Sequence, residues 1–385
     1  MRFLRAGVAI LLWLVVALCL AVTVIPHFLD RIYYRGPVSA HFDGAHFFNP
    51  DGDDDRLKLS GGSSRAGFIW RQVFGDASKP VWPSQVAVTP SKPPARVAGG
   101  DMVATWVGHA TMLVQADGIN ILTDPVWSDT AGPFGFGPKR VAAPGIRFED
   151  LPRIDVVLIS HNHYDHMDLA TLRRLWARDR PLIVTSLGND RVIGLPARAL
   201  DWGQGVAVRP GIAVTVTRSH HWDSRWFSDR NRALWSSFVV TLPHGNFFFA
   251  GDTGIGDGRW PAEAAALGPV RLAAIPIGAF RFEDGQMASG SHIGPGGAIR
   301  VWDGLGRPQA IPIHWGTFRL SGEGYRTPPD MLAAMLTCGR ADPARFAPAA
   351  IGVPQRIAPL GAVPPAPDFA AIDACDRKGA FASFR

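Results

Sequence analysis

The feature that most constrains this fold is residues 154–168, IDVVLISHNHYDHMD, where a short apolar run opens directly into three histidines and an aspartate. Residues 154–159 are too few for a free-standing helix and rich in branched side chains, so they predict an interior strand. Alternation along an extended chain puts His161 and His163 on one side, with Asp165 and His166 pointing the other way. Imidazole nitrogens and carboxylate oxygens suit zinc and its borderline relatives. Two ligand sets diverging from one loop predict two metal ions rather than one. A lone loop histidine is normally just solvated, but four potential ligands within six residues are poorly explained that way.

With 385 residues the chain can form one large domain or two ordinary ones, and a hydrophobic content of 47% with 13 Trp and 22 Phe excludes a disordered chain. The net charge of +6 permits attraction to phosphates or an anionic membrane surface. No dense Lys/Arg run accompanies it, so nucleic acid is not an expected partner. Cys19, Cys338 and Cys375 have no CxxC spacing and stand far from the histidine loop. The last two could pair in an oxidising compartment, but the sequence does not show that they meet.

Residues 6–25 form a 20-residue stretch without charge or proline, preceded by Arg2 and Arg5. As a helix it would span roughly 30 Å, the thickness of a bilayer's hydrocarbon core. No polar small-residue cleavage stretch follows before Pro26, which favours an uncleaved anchor over a signal peptide. Arg31 and Arg35 nearly balance Arg2 and Arg5. The expected arrangement is a single-pass anchor over residues 1–35, N-terminus inside, with the domain that carries the histidine loop on the periplasmic or extracytoplasmic side. Residues 36–100 read as an extension packing on the core through Trp70, Phe74 and Trp82, and residues 101–385 as the domain that carries the histidine loop. The acidic run 51–55 lacks the spacing of a calcium loop and reads as a solvated turn.

Along that domain, residues 102–114 predict two strands about a turn at Gly108, with His109 at the turn, free to face the site or to cap a sheet edge and not expected as a direct ligand. Residues 119–123 predict another strand. The Gly/Pro-rich loop 132–144, with Lys139 and Arg140, is a candidate substrate contact. Asp168 is placed to cap a helix over residues 169–178. Residues 206–217 alternate as a strand leading to His220 and His221, and 237–242 with 247–250 predict a hairpin leading to Asp252. Residues 310–313 end in His314, and the tail from Gly339 reads as a strand and turns with a loose C-terminus. Polar residues of one chemical kind thus follow at least four apolar strands. They can converge only if those strands lie side by side.

The order HNHYDH at residues 161–166, His221-Trp222, Gly-Asp-Thr-Gly at 251–254 and His-Trp-Gly-Thr at 314–317 resembles the metallo-β-lactamase superfamily. More narrowly, TWVGHATMLVQ from Thr105, LTDPVWS from Leu122, GPKR from Gly137, SHNHYDHMD from Ser160 and IHWGTF from Ile313 resemble the N-acylphosphatidylethanolamine-hydrolysing phospholipases D and their bacterial relatives. The resemblance covers roughly residues 97–329. It implies an α/β fold of the αβ/βα sandwich type, two mixed sheets flanked by helices. It implies two Zn2+, one held by His161, His163 and His221 and the other by Asp165, His166 and His314, with Asp252 bridging. His221 is chosen over His220 because the family places Trp directly after the ligand. His292, in SHIGP, falls where those phospholipases contact the substrate head group. The implied activity is zinc-dependent phosphodiester hydrolysis of a phospholipid by a metal-bridging hydroxide, with Asp165 and Asp252 as catalytic carboxylates. A lactonase or other ester hydrolase using the same metal pair is the competing reading, since fold and metals do not choose the substrate.

Overall fold

The computed structural model describes residues 2–28, 31–52, 80–226, 228–282 and 286–384, so Trp70, Phe74 and Asp53 to Asp55 lie outside the described residues. Among these, two mixed sheets of seven and six strands take up all thirteen strands. The first runs, edge to edge, β13 (Pro354–Arg356), β1 (Met102–Gly108), β2 (Thr111–Ala116), β3 (Ile119–Thr123), β4 (Val156–Ile159), β5 (Leu182–Ser186) and β6 (Arg198–Leu200). The second runs β12 (Gln309–Ile313), β11 (Val270–Pro276), β10 (Asn246–Phe249), β9 (Ser237–Thr241), β8 (Ile212–Thr217) and β7 (Gly205–Arg209).

The branched run before the histidine loop is buried on both faces because β4 lies parallel between β3 and β5. Alternation splits it between two cores. Val156 and Leu158 join the large core between the sheets, where Trp106, Phe247, Phe248 and Phe249 lie, and Val157 and Ile159 join a second core on the outer face. That outer face is covered by α2 (Leu169–Asp179), which follows the membrane-length helix α1 (Arg2–Phe28) in chain order and contributes Leu172 and Leu175. Asp168 caps α2, its carboxylate accepting from the amides of Ala170 and Thr171. Among the described residues the other α-helices are α3 (Asn189–Ile193), α4 (Trp260–Ala265), α5 (Gly294–Gly304), α6 (Thr327–Cys338) and α7 (Phe369–Arg377), of which α5 packs on β11 and on α6.

The expected single strand over 206–217 is instead the hairpin β7 and β8. Both arms alternate, so periodicity runs on through the turn, but Pro210 has no amide to offer the ladder and Gly211 adopts φ 76°. The expected loose C-terminus is ordered: Asp368 caps α7, a disulfide joins Cys338 to Cys375, and Phe381 is buried. In the N-terminal extension, Phe42 and Phe47 pack against Trp235, while Trp82 donates to the Glu323 carbonyl at 2.8 Å.

Candidate metal centre

The polar residues that follow the strands meet at one end of the two sheets. The loop after β4 carries His161, His163, Asp165 and His166; His221 follows β8, Asp252 follows β10 and His314 follows β12. His314 holds φ 63°, which turns its ring back over the strand ends while its amide donates to the His109 carbonyl at 3.0 Å.

Two groups of side chains form there. His161 Nε2 and His163 Nδ1 face each other at 2.7 Å, with His221 Nε2 3.5 Å from the latter. The second group gathers on two carboxylates. Asp165 Oδ2 lies 3.3 Å from His166 Nε2 and 3.5 Å from His314 Nε2, and Asp252 Oδ2 lies 3.1 and 2.9 Å from the same two nitrogens. Asp252 Oδ2 is also 4.0 Å from His221 Nε2, which puts this carboxylate on the border of both groups. His220 turns away: its Nδ1 meets the side chain of Asp51, which sits in an exposed turn as expected.

The far nitrogens of these rings are anchored. His166 Nδ1 donates to Asp124 at 2.7 Å, His314 Nδ1 to the Gly278 carbonyl and His221 Nδ1 to the Ser291 carbonyl. His161 Nδ1 donates to Ser160 Oγ, which itself donates to Asp124. This network orients the rings so that each Nε2 points inward, the usual support of a metal-ligating histidine. His163 Nε2, His166 Nε2, His314 Nε2 and Asp252 Oδ1 are buried with no well-directed hydrogen bond. Burial of that many polar atoms is costly unless something else satisfies them. The donor set and its orphaned atoms therefore fit a metal centre.

The electrostatics divide the same way. Burial pushes His163 down to about 3 and, aided by neighbouring imidazoles, His161 well below its ordinary value; His221 is lowered chiefly by burial. They are neutral at pH 7. Burial also acts on His314 and His166, but the carboxylates of Asp252 and Asp165 outweigh it, lifting His314 to about 9 and His166 well above its usual range. Burial alone would raise both carboxyls, yet His166 and its neighbours hold Asp165 and Asp252 well below theirs.

His109 is not a sheet-edge cap. Its φ of 53° turns the fully buried ring into the centre, where Nε2 lies 2.9 Å from Asp165 Oδ2. Asp124, which no local pattern marks beyond ending a buried strand before Pro125, is buried beneath the site as the acceptor for His166 and Ser160. His292, the expected substrate contact, stands 5.3 Å ring to ring from His221 with Nδ1 buried and unpaired. Arg140 is not free to meet a substrate: it donates to the Val126 carbonyl at 2.8 Å and lies over the Phe318 ring.

Residues 119–315 match the model of the β-lactamase superfamily domain. The chain is 34% identical over 290 residues to the N-acyl-phosphatidylethanolamine-hydrolyzing phospholipase D 1 of Caenorhabditis elegans, covering 70% of this chain and 81% of that one. It is 32% identical over 250 residues to the mitochondrial N-acyl-phosphatidylethanolamine-hydrolyzing phospholipase D of Saccharomyces cerevisiae, covering 61% and 52% respectively. A metallo-hydrolase from the archaeon Ignicoccus hospitalis superposes with a TM-score of 0.50 over 67% of this chain and 99% of its own, a likeness of fold at 20% identity.

Proposed function

Since the chain belongs to the metallo-β-lactamase superfamily and is a metal-dependent hydrolase, we propose that it hydrolyses the phosphodiester of N-acylated ethanolamine phospholipids, releasing phosphatidate and an N-acylethanolamine. The observation that carries this reading is a relative with that activity in its name, similar over 81% of its length, together with the histidine and aspartate groups at the strand ends. In this reading His161, His163 and His221 would hold one Zn2+ and Asp165, His166 and His314 the other, with Asp252, on the border of both groups, available to either. When bound, the ions supply Lewis acidity, lowering the pKa of water and offsetting charge on phosphoryl oxygens.

The chain's own residues do the rest. Asp165 and Asp252, held ionised, orient the attacking water and take up its proton. Asp124 and Ser160 keep His166 and His161 aimed inward. His292 contacts the head group from beside His221.

The apolar helix, 20 residues from Arg5 to Val24 with none of that window buried, supports a membrane anchor that would raise encounters with lipid. The Cys338–Cys375 bridge supports an extracytoplasmic catalytic domain. Tyr33 and Tyr34 already pack on the domain, so we place the end of the anchor before Arg31 rather than after Arg35.

The test is metal analysis with turnover of purified protein on N-acylphosphatidylethanolamine vesicles and on simple lactones. About two equivalents of zinc and release of N-acylethanolamine are expected. Lactone turnover with no lipid cleavage would transfer the assignment to the ester-hydrolase reading, and full activity without metal would overturn both.

A further inference from the structure

Among the described residues, three aromatic side chains beyond α1 are exposed: two lie on the loop that borders the cleft to Tyr164, and the third is beside His292. Phe134 and Phe136 are 85% and 74% exposed, and Phe282 lies 5.5 Å ring to ring from His292. The first two sit at the tip of a loop whose base is held shut. Thr130 pairs with Lys139, the Ala131 amide donates to the Pro138 carbonyl and the Arg140 amide to the Asp129 carbonyl. Gly132 and Gly137 permit this pinch, since a Cβ on either would stand 2.0 or 2.6 Å from a backbone oxygen across the loop. The loop thus spends glycine and a left-handed Phe134, φ 54°, on holding two large apolar rings in water. Packing in the domain does not explain them.

The position of the loop identifies what covers it. The Phe134 ring is 6.4 Å from Trp226, and the Arg31 guanidinium sits 5.1 Å above the same indole. Arg31 is three residues beyond the end of α1, a reach of about 10 Å even for extended chain. The loop is therefore beside the point where the apolar helix joins the domain. Arg31, Lys139 and Arg173 surround it, all exposed and without an ion-pair partner among the described residues. Aromatic rings ringed by cations suit the head-group region of an anionic bilayer. Below the loop, a cleft of about 340 Å³ runs past Phe134 and Trp226 to Tyr164, inside the histidine loop itself.

We propose that residues 132–137 are a second membrane-contacting element, which inserts Phe134 and Phe136 into the bilayer interface and seats the metal-centre face on the lipid surface. The proposal rests on the reading of α1 as a membrane anchor, and its test separates the two. The full chain, reconstituted into phosphatidylcholine vesicles containing phosphatidylglycerol, is labelled with an environment-sensitive fluorophore at one cysteine at a time. These are the native Cys19 in α1, then Phe136→Cys and Val353→Cys, each in a Cys19→Ser background with Cys338 and Cys375 bridged. Lipids spin-labelled near the head group should quench the label at position 136 by about twofold and leave that at 353 unchanged, because interfacial side chains lie at head-group depth. Quenching at Cys19 by deep-labelled lipid reports the helix independently. No quenching at 136 while Cys19 is quenched overturns the loop proposal and leaves the anchor standing. Quenching at 136 but not at Cys19 supports the loop and removes the anchor. Equal quenching at 136 and 353 overturns the loop as a specific contact.

Discussion

If the site takes two metal ions as proposed, replacing His109 with alanine should weaken one of the two binding steps and spare the other. The neutral ring, pushed down to about 3 by burial and by His314, donates from Nε2 to Asp165 Oδ2 at 2.9 Å. Its backbone is fixed on both sides, the amide donating to Thr317 Oγ1 and the carbonyl accepting from Trp106 Nε1. A hydrogen bond to a charged group is worth about 1.5–3 kcal/mol, which corresponds to roughly 10–100-fold in affinity, the range seen when outer-shell partners of metal ligands are removed. His109→Ala should therefore raise the dissociation constant of the ion held by Asp165, His166 and His314 by that factor. The ion held by His161, His163 and His221 should be unaffected, since His109 makes no polar contact with that group. Calorimetric titration of the metal-free protein, with a competing chelator to resolve the two steps, reads both constants. His109→Gln should recover much of the loss by placing a donor near the same oxygen, and His220→Ala should change neither step. Equal weakening of both steps would refute the argument by pointing to a general loss of structure, and loss of one whole equivalent would make His109 a ligand.

Because His314 is lifted to about 9 and His166 is also raised, both carry protons at pH 7 that metal must displace; titration in buffers of different ionisation enthalpy should show about two protons released, with affinity rising from pH 7 towards 9. No release at pH 7 would contradict this. The Cys338–Cys375 bridge closes a loop of 37 residues, so Cys338→Ser with Cys375→Ser should cost about 2–4 kcal/mol in denaturant unfolding, and an unchanged midpoint would mean that α7 is held without it. A chain lacking residues 1–29 should remain soluble and metal-loaded, whereas one lacking 1–35 loses the buried bond from Tyr33 to Asp229 and should be less stable by about 1–3 kcal/mol; equal midpoints would show that bond to be unimportant.

The local elements were legible where one physical signal dominated. The run before the histidine loop could be assigned as a strand because branched residues in so short a stretch leave no better place than a sheet interior. Its neighbours β3 and β5 were legible for the same reason. The hairpin of β7 and β8 was misread because alternation is blind to chain reversal, and only Pro210 with Gly211 carried the information. Helix α7 escaped notice because Pro and Ala dominate the tail before it, although Asp368 is an ordinary cap. Strand order was beyond periodicity altogether: nothing local in β13 says that it pairs with β1, across some 250 residues, rather than with its sequence neighbours.

The site divides along the same line between local and convergent information. Four ligand candidates in one loop announce themselves, because chance rarely concentrates such residues. His109 and Asp124 do not, since each is a single polar residue at a strand end and acquires meaning only from what the other sheet or the next strand brings to it. His109 acts through Asp165, some 56 residues away, and Asp124 through His166, some 42 away. Their burial is what distinguishes them: a carboxylate and an imidazole at the floor of the site are stable there only because each satisfies a neighbour that itself points inward. The ligands can be recognised by chemistry and spacing, whereas the residues that aim them become visible only once the strands are side by side.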